Sequence, residues 1–227
     1  MKYILIFIFL SSFYSGFSQN RNFERPNYKK IKKAVKKRKS DFNYSKLFKK
    51  FSSPYYNMSL KEKRFLYFGY IYQKNYSPFG FSKYSDSLNL YARKPLTKIT
   101  LRKMIVFSEF ILSKNPFNIE VLIYKSYLQR KNKDNVGYSL TKKQLNIIYD
   151  AIKSTGNGLT KKQAYHIIYR DHKKEFLKYL KLKHKGINKT IDKYRVEYLN
   201  VEKNKNNIRG IYFNVSAFKI NLKSKLK

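Results

Sequence analysis

Two of the chain's three histidines, His166 and His172, stand six residues apart, with Asp171 beside the second. Just upstream lies a polar turn, Ser154-Thr155-Gly156-Asn157-Gly158, which holds two of the eight glycines. Histidine and carboxylate together can move protons or hold a metal, and clustered glycines can bring backbone amides to a phosphate. Each of these chemistries demands a spacing. A phosphate loop needs G-x-x-x-x-G-K-[ST] behind an apolar strand, and GNGLTKKQ has neither. A zinc helix needs its histidines four apart on one face, and a strand would align His166 with His172 only by running on through Asp171. The thirteen acidic residues form no cluster suited to calcium or to a glycosidase pair, and no G-x-S-x-G elbow occurs. The sequence therefore predicts no catalytic set, no metal and no cofactor. It leaves a candidate binding site of Ser154, Thr155, Gly156, Asn157, Gly158, Tyr165 and His166. An enzyme centred on His166, acting with Ser154, Thr155 or Tyr165, stands as an alternative.

These residues must be positioned by the elements around them. LTKKQLNIIYDAIKS, residues 140–154, is a helix with Leu145, Ile148 and Ile152 in one stripe. Gly156 is placed to end it in a left-handed cap, and Thr160 with Gln163 forms a capping box for one further turn. AYHIIY, residues 164–169, reads as a strand in which His166 is a hydrogen-bonded, partly buried residue. YRVEYLNV and GIYFNVS, separated by a polar turn, read as a hairpin. Upstream, SLKEKRFLYFGYIYQ opens with the Ser59–Glu62 capping box of a buried helix, and a weaker helix spans 83–92. Two further helices meet at Asn115-Pro116, with Asn115 as cap and Pro116 as first residue of the second. That outline resembles a tetratricopeptide hairpin without most of its small residues. The expected class is α+β: a mainly helical body over 27–158, with a small antiparallel sheet in the α/β part at 159–220.

Charge and the N-terminus bear on location and partners. A short basic start, the run YILIFIFLSSFYSGF and a small-residue exit read as a signal peptide over 1–18, cleaved near Ser18. Four small or polar residues interrupt that run before it reaches a bilayer's span, so no transmembrane segment is expected in the mature form. Residues 19–26 read as a linker and 221–227 as a basic tail. The chain has no cysteine, so its core must hold the fold without disulfides. A net charge of +38 suggests a polyanion or an anionic surface as partner. Lysine outnumbers arginine 41 to 10, however, and Asn, Ile, Tyr and Phe are abundant, which is also what AT-rich codons produce. Scarce arginine argues against specific nucleic-acid recognition. The strongest anion-binding candidate is the amphipathic helix at 28–39. It sets Tyr28, Ile31, Ala34 and Val35 on one face against Lys29, Lys30, Lys32, Lys33, Lys36, Lys37 and Arg38.

The stretches SLKEKRFLYFGYIYQKNYSPFG, NPFNIEVLIYKSYLQRK, IYDAIKSTGNG with AYHII, and YLNV followed by GIYFNVS together resemble a secreted Bacteroidota family, domain of unknown function 4919. The resemblance implies export, a helical body similar to tetratricopeptide pairs, and a recurrent Ser-Thr-Gly-(Asp/Asn)-Gly loop close to a histidine. Asn157 takes the place where that loop usually carries Asp. The family brings no activity with it. The expected function is thus that of an exported, periplasmic or secreted, non-enzymatic interaction module with an envelope or secreted protein as partner. The first alternative is a charge-driven binder of anionic envelope polymer, lipid or nucleic acid.

Overall fold

The computed structural model describes residues 23–78, 84–192, 195–218 and 220. The expected signal peptide and basic tail lie outside them. The first helix among the described residues is α1 (Tyr28–Lys36), capped by the Asn27 side chain, with Ile31 and Val35 buried as the sequence predicts. α2 (Tyr44–Phe51) was not expected. Its eight residues bury Leu47 and Phe51 and pack Tyr44 and Phe48 against the core, an i, i+3, i+4, i+7 stripe that the sequence reading passed over. α3 (Leu60–Gly69) starts at the predicted reciprocal box, in which Glu62 Oε2 accepts from the Ser59 amide at 2.8 Å. Every residue from Arg64 to Gly69 is buried, because α3 packs against α1, α2 and a later helix, α7. It is the axis of the helical body.

α4 (Tyr84–Ala92), α5 (Lys98–Lys114), α6 (Ile119–Lys131) and α7 (Asn135–Lys153) follow, each of α5 to α7 packed on its predecessor. The junction of α5 and α6 differs from expectation. Asn115 still donates its amide to Ile111 O, as the cap that ends α5, and Asn118 caps α6 by accepting from the Val121 amide at 3.1 Å. The intervening turn holds Phe117 fully buried. α7 also begins five residues before the predicted Leu140, since Asp134 accepts from the Gly137 amide and caps it there.

The C-terminal part carries a sheet in the order β1-β4-β3-β2, from β1 (Tyr165–His166), β2 (His184–Asp192), β3 (Val196–Val201) and β4 (Gly210–Asn214). The predicted hairpin is β3–β4, antiparallel with Tyr198 opposite Tyr212. The sheet is mixed rather than antiparallel throughout, because β1 pairs parallel with β4. β1 is shorter than AYHIIY because its other edge bonds to side chains. The His166 amide donates to Thr155 Oγ1 and the Ile168 amide to Tyr67 Oη. β2 was unexpected, since HKGINKTID is poor in strand formers and its register slips between His184 and Asn188. Between β1 and β2 lies α8 (His172–Tyr179), which buries Phe176 and Leu177.

One large core joins α1–α3, α7, α8 and the sheet, and a second, smaller one holds Leu88, Met104, Ile111, Val121 and Leu128 between α4, α5 and α6. No helix among the described residues is long and apolar enough to cross a membrane.

Candidate functional site

The turn that the sequence singles out joins α7 to β1, and its three side-chain oxygens all have partners within the chain. Ser154 Oγ donates to Ala151 O at 2.7 Å, and Thr155 Oγ1 donates to Ile152 O at 2.6 Å while accepting from the His166 amide at 2.9 Å. Asn157 Oδ1 accepts from the Leu159 amide. The Gly158 amide donates to Gln163 O, and Gly158 O accepts from the Tyr212 amide in β4, both at 2.8 Å. The structure thus brings Ser154, Thr155, Gly156, Asn157, Gly158, Tyr165 and His166 together, as a hydrogen-bonded joint between helical body and sheet.

The left-handed residue is Gly158, at φ +72°, and not Gly156 as predicted. α7 ends through right-handed Ser154 instead, whose amide still reaches Asp150 O. Gly156 is required for a different reason: a Cβ there would overlap the Gln163 carbonyl oxygen, so only glycine admits this approach of two backbones. Thr160 does cap one turn, a 3-10 helix at Lys161–Gln163, by accepting from the Gln163 amide.

Arg64, which sequence reasoning missed, anchors the joint. It is buried in α3, and its guanidinium donates to Ser154 Oγ at 2.6 Å and to Glu24 O at 2.6 Å. The Glu24 amide in turn donates to Ser154 O at 3.0 Å, and Arg25 donates to Lys162 O at 2.7 Å. The end of the segment read as a linker is therefore tied across the turn. Arg64 ends the charged stretch KEKR just before the apolar FLYF, so no local signal set it apart as a buried arginine that must find several acceptors.

His166 is 7% exposed, and its Nδ1 is buried without a hydrogen-bond partner. Burial, and then the charges of Arg25 and Arg64, push its pKa down to about 3. It is a neutral imidazole that touches neither the Ser154 nor the Thr155 hydroxyl through a hydrogen bond, so it does not activate either as a nucleophile.

His172 occupies a separate setting. Its Nδ1 accepts from Tyr67 Oη at 2.6 Å and its Nε2 donates to Phe117 O at 2.8 Å, which fixes the neutral tautomer. Burial lowers its pKa to about 3 as well. Tyr67 Oη also receives the Ile168 amide, and Tyr76 Oη donates to Ile168 O at 2.6 Å. The two histidines share no partner, and no group of three His, Cys, Asp or Glu among the described residues is placed to hold a metal.

The anion-binding candidates Lys29, Lys30, Lys32, Lys33, Lys36, Lys37 and Arg38 are all exposed, on or just after α1, while Ile31 and Val35 hold that helix to the core. Lys32 lies over the Tyr72 ring, 5.8 Å from its centroid.

A family model described as "Domain of unknown function (DUF4919)" matches residues 29–224, which include all of α1 after Tyr28, the Arg64 helix, the glycine turn with His166, and the whole sheet. The chain belongs to this family. No curated protein and no solved structure matches it. For DUF4919, then, the geometry of this chain is the ground on which a function must be argued.

Proposed function

We propose that this DUF4919 protein is an exported, non-catalytic binding module that acts in the periplasm or outside the cell through its helical body. Export is supported by the basic start, apolar run and small-residue exit of residues 1–18. The observation that carries the binding reading is the commitment of the joint. Ser154, Thr155, Asn157 and His172 spend their hydrogen bonds on the chain itself, and His166 stays neutral and enclosed. A body of successive helices, similar to tetratricopeptide pairs, instead leaves large apolar side chains at its surface, among them Ile99, Val106 and Phe110 along α5 and Tyr127 on α6. Exposed apolar side chains of this kind mark contact surfaces more often than reaction centres.

The test is capture from the native envelope by the mature protein at 50 mM and 500 mM salt. A partner retained at the higher salt is the expected result, and a protein that retains nothing there is no binding module of this kind. Cell fractionation checks export: the expected pool lies beyond the inner membrane.

A second reading has its own observation. α1 and the turn after it present eight exposed basic side chains, Lys29 to Lys39, with no acidic residue before Asp41. Docking to an anionic polymer or lipid surface through this face would be lost steeply with salt. A ligand captured at 50 mM and released at 500 mM identifies it.

A further inference from the structure

α4 and α5 meet in a short corner whose outer side chains combine two characters. Leu90 near the end of α4 is 57% exposed, Leu96 in the turn 47% and Ile99 in the first turn of α5 68%. Aliphatic groups gain by leaving water, so three of them left exposed at one bend mark a contact surface. Around them stand Arg93, Lys94, Lys98, Arg102 and Lys103, all exposed, and no acidic residue occurs between Asp86 and Glu109. Among the described residues none of these five cations forms an ion pair.

The corner is firmly built. Thr100 Oγ1 accepts from the Thr97 amide and donates to Pro95 O, both at 2.8 Å, while Thr97 Oγ1 accepts from the Thr100 amide at 3.2 Å. The ammonium groups of Lys94 and Lys103 lie 4.5 and 5.4 Å from the centroid of the Tyr91 ring, and Lys103 also donates to Tyr91 Oη. A capping box therefore holds Leu96 and Ile99 out on a fixed bend. Along α5, Ile99 and Val106 stand about two turns apart on one face, and Arg102 and Lys103 flank the line between them. The groove of about 600 Å³ shared by α4, α6 and α8 takes Leu88 and Ala92 from α4 instead. None of Leu90, Leu96 and Ile99 lines it, so what meets them comes as a surface and not as a chain laid in a cleft.

Resting on the binding-module reading, we propose that the α4–α5 corner docks on an anionic phospholipid bilayer. Leu90, Leu96 and Ile99 enter the headgroup boundary, and the five cations meet the lipid phosphates around them. A bilayer uses both characters at once: a soluble polyanion gains nothing from aliphatic side chains, and a neutral apolar surface gains nothing from unpaired cations. The lysine and arginine stems pass along the apolar line and keep their charged heads at the level of the phosphates. Each cation well placed near an anionic leaflet multiplies the affinity about fivefold. α1 is as basic, but it turns Ile31 and Val35 inward and offers charge alone. A second copy of this chain is not the occupant, because two molecules of net charge +38 repel each other.

The test is co-sedimentation of the mature protein with vesicles of phosphatidylcholine, alone or with about one-third phosphatidylglycerol. The anionic vesicles are expected to bind at least tenfold more tightly. Leu96→Ser/Ile99→Ser and Arg93→Gln/Lys98→Gln should each weaken that binding at least tenfold, and Lys29→Gln/Lys33→Gln/Lys36→Gln on α1 should weaken it less than either. Because the chain has no cysteine, a polarity-sensitive thiol label reports a single site. On Ile99→Cys its emission should shift to the blue with anionic vesicles, and on Val136→Cys, an exposed site at the start of α7, it should not. A silent label at position 99, or equal affinity for the two kinds of vesicle, overturns the proposal. A larger loss from the α1 variant overturns it in favour of that helix. No vesicle binding, together with high-salt envelope capture that Leu96→Ser/Ile99→Ser abolishes, overturns the lipid in favour of a protein at the same corner. High-salt capture that persists in that variant rejects this corner while sparing the binding-module reading. Absence of such capture by the unaltered protein rejects that reading itself.

Discussion

Around Tyr67 the interactions close on themselves. Its hydroxyl donates to His172 and receives the Ile168 amide, while its ring packs edge-on against Phe68 and Phe117. Between α4, α5 and α6 the reverse holds. A small core of five buried residues carries Val106, Ile123 and Tyr127 on its outside. Both regions are rich in aromatic and apolar side chains, so composition does not separate them. Exposure does: the first region encloses its aromatic rings between body and sheet, and the second leaves part of its apolar side chains at the surface.

The comparison breaks most readily in acid. His166 and His172 have folded pKa values near 3, below the ordinary 6.5, so the unfolded chain binds more protons than the folded one between those limits. Their stabilising contribution is full above about pH 6.5 and is lost as the pH falls. Each costs about 1.4 kcal/mol per pH unit, so roughly 5 kcal/mol should vanish between pH 6 and pH 4. Urea midpoints across that range check it, and a flat profile would mean that the joint is open to water.

Next in size is Arg64→Leu, which strands Glu24 O and removes the donor to Ser154. A loss of about 3 kcal/mol is expected from hydrogen bonds to a charged group, together with release of residues 23–25 seen as faster amide exchange at Glu24. Tyr67→Phe should cost about 2 kcal/mol, because the Ile168 amide and His172 Nδ1 both lose their partner without a change of shape. Smallest of all, Ile99→Ser, at a site 68% exposed, should change the stability by under about 0.5 kcal/mol. A larger loss would show that this surface is part of the fold and not free for a partner.

How far these regions could be read from the sequence follows the same division. Local signals were legible: the Ser59–Glu62 box, the α1 stripe and the β3–β4 hairpin each declare themselves within about twenty residues. Placement of the joint was legible too, since the glycine turn and His166 are neighbours in the chain. What partners them was not. Arg64 lies 90 positions from Ser154 and Tyr67 lies 105 from His172, and a single sequence carries no record of such meetings. Gly156 and Gly158 show the finer limit, because their types announce a turn but only the neighbouring backbone decides which one is left-handed. A groove lined by Leu88 of α4, Tyr124 of α6 and Lys178 of α8 escaped for a related reason, since no local pattern brings those helices together.

The ring cluster around Tyr67 also gives the molecule an optical property. The chain contains 22 tyrosines and no tryptophan, so its near-ultraviolet signals are tyrosine signals. Burial pushes the ionisation of Tyr67, Tyr76 and Tyr169 well up from that of a free phenol. In alkali these hydroxyls stay protonated for as long as the core is intact. The late rise of tyrosinate absorbance is then a direct record of the core letting water in, and the protein reports its own opening without a label.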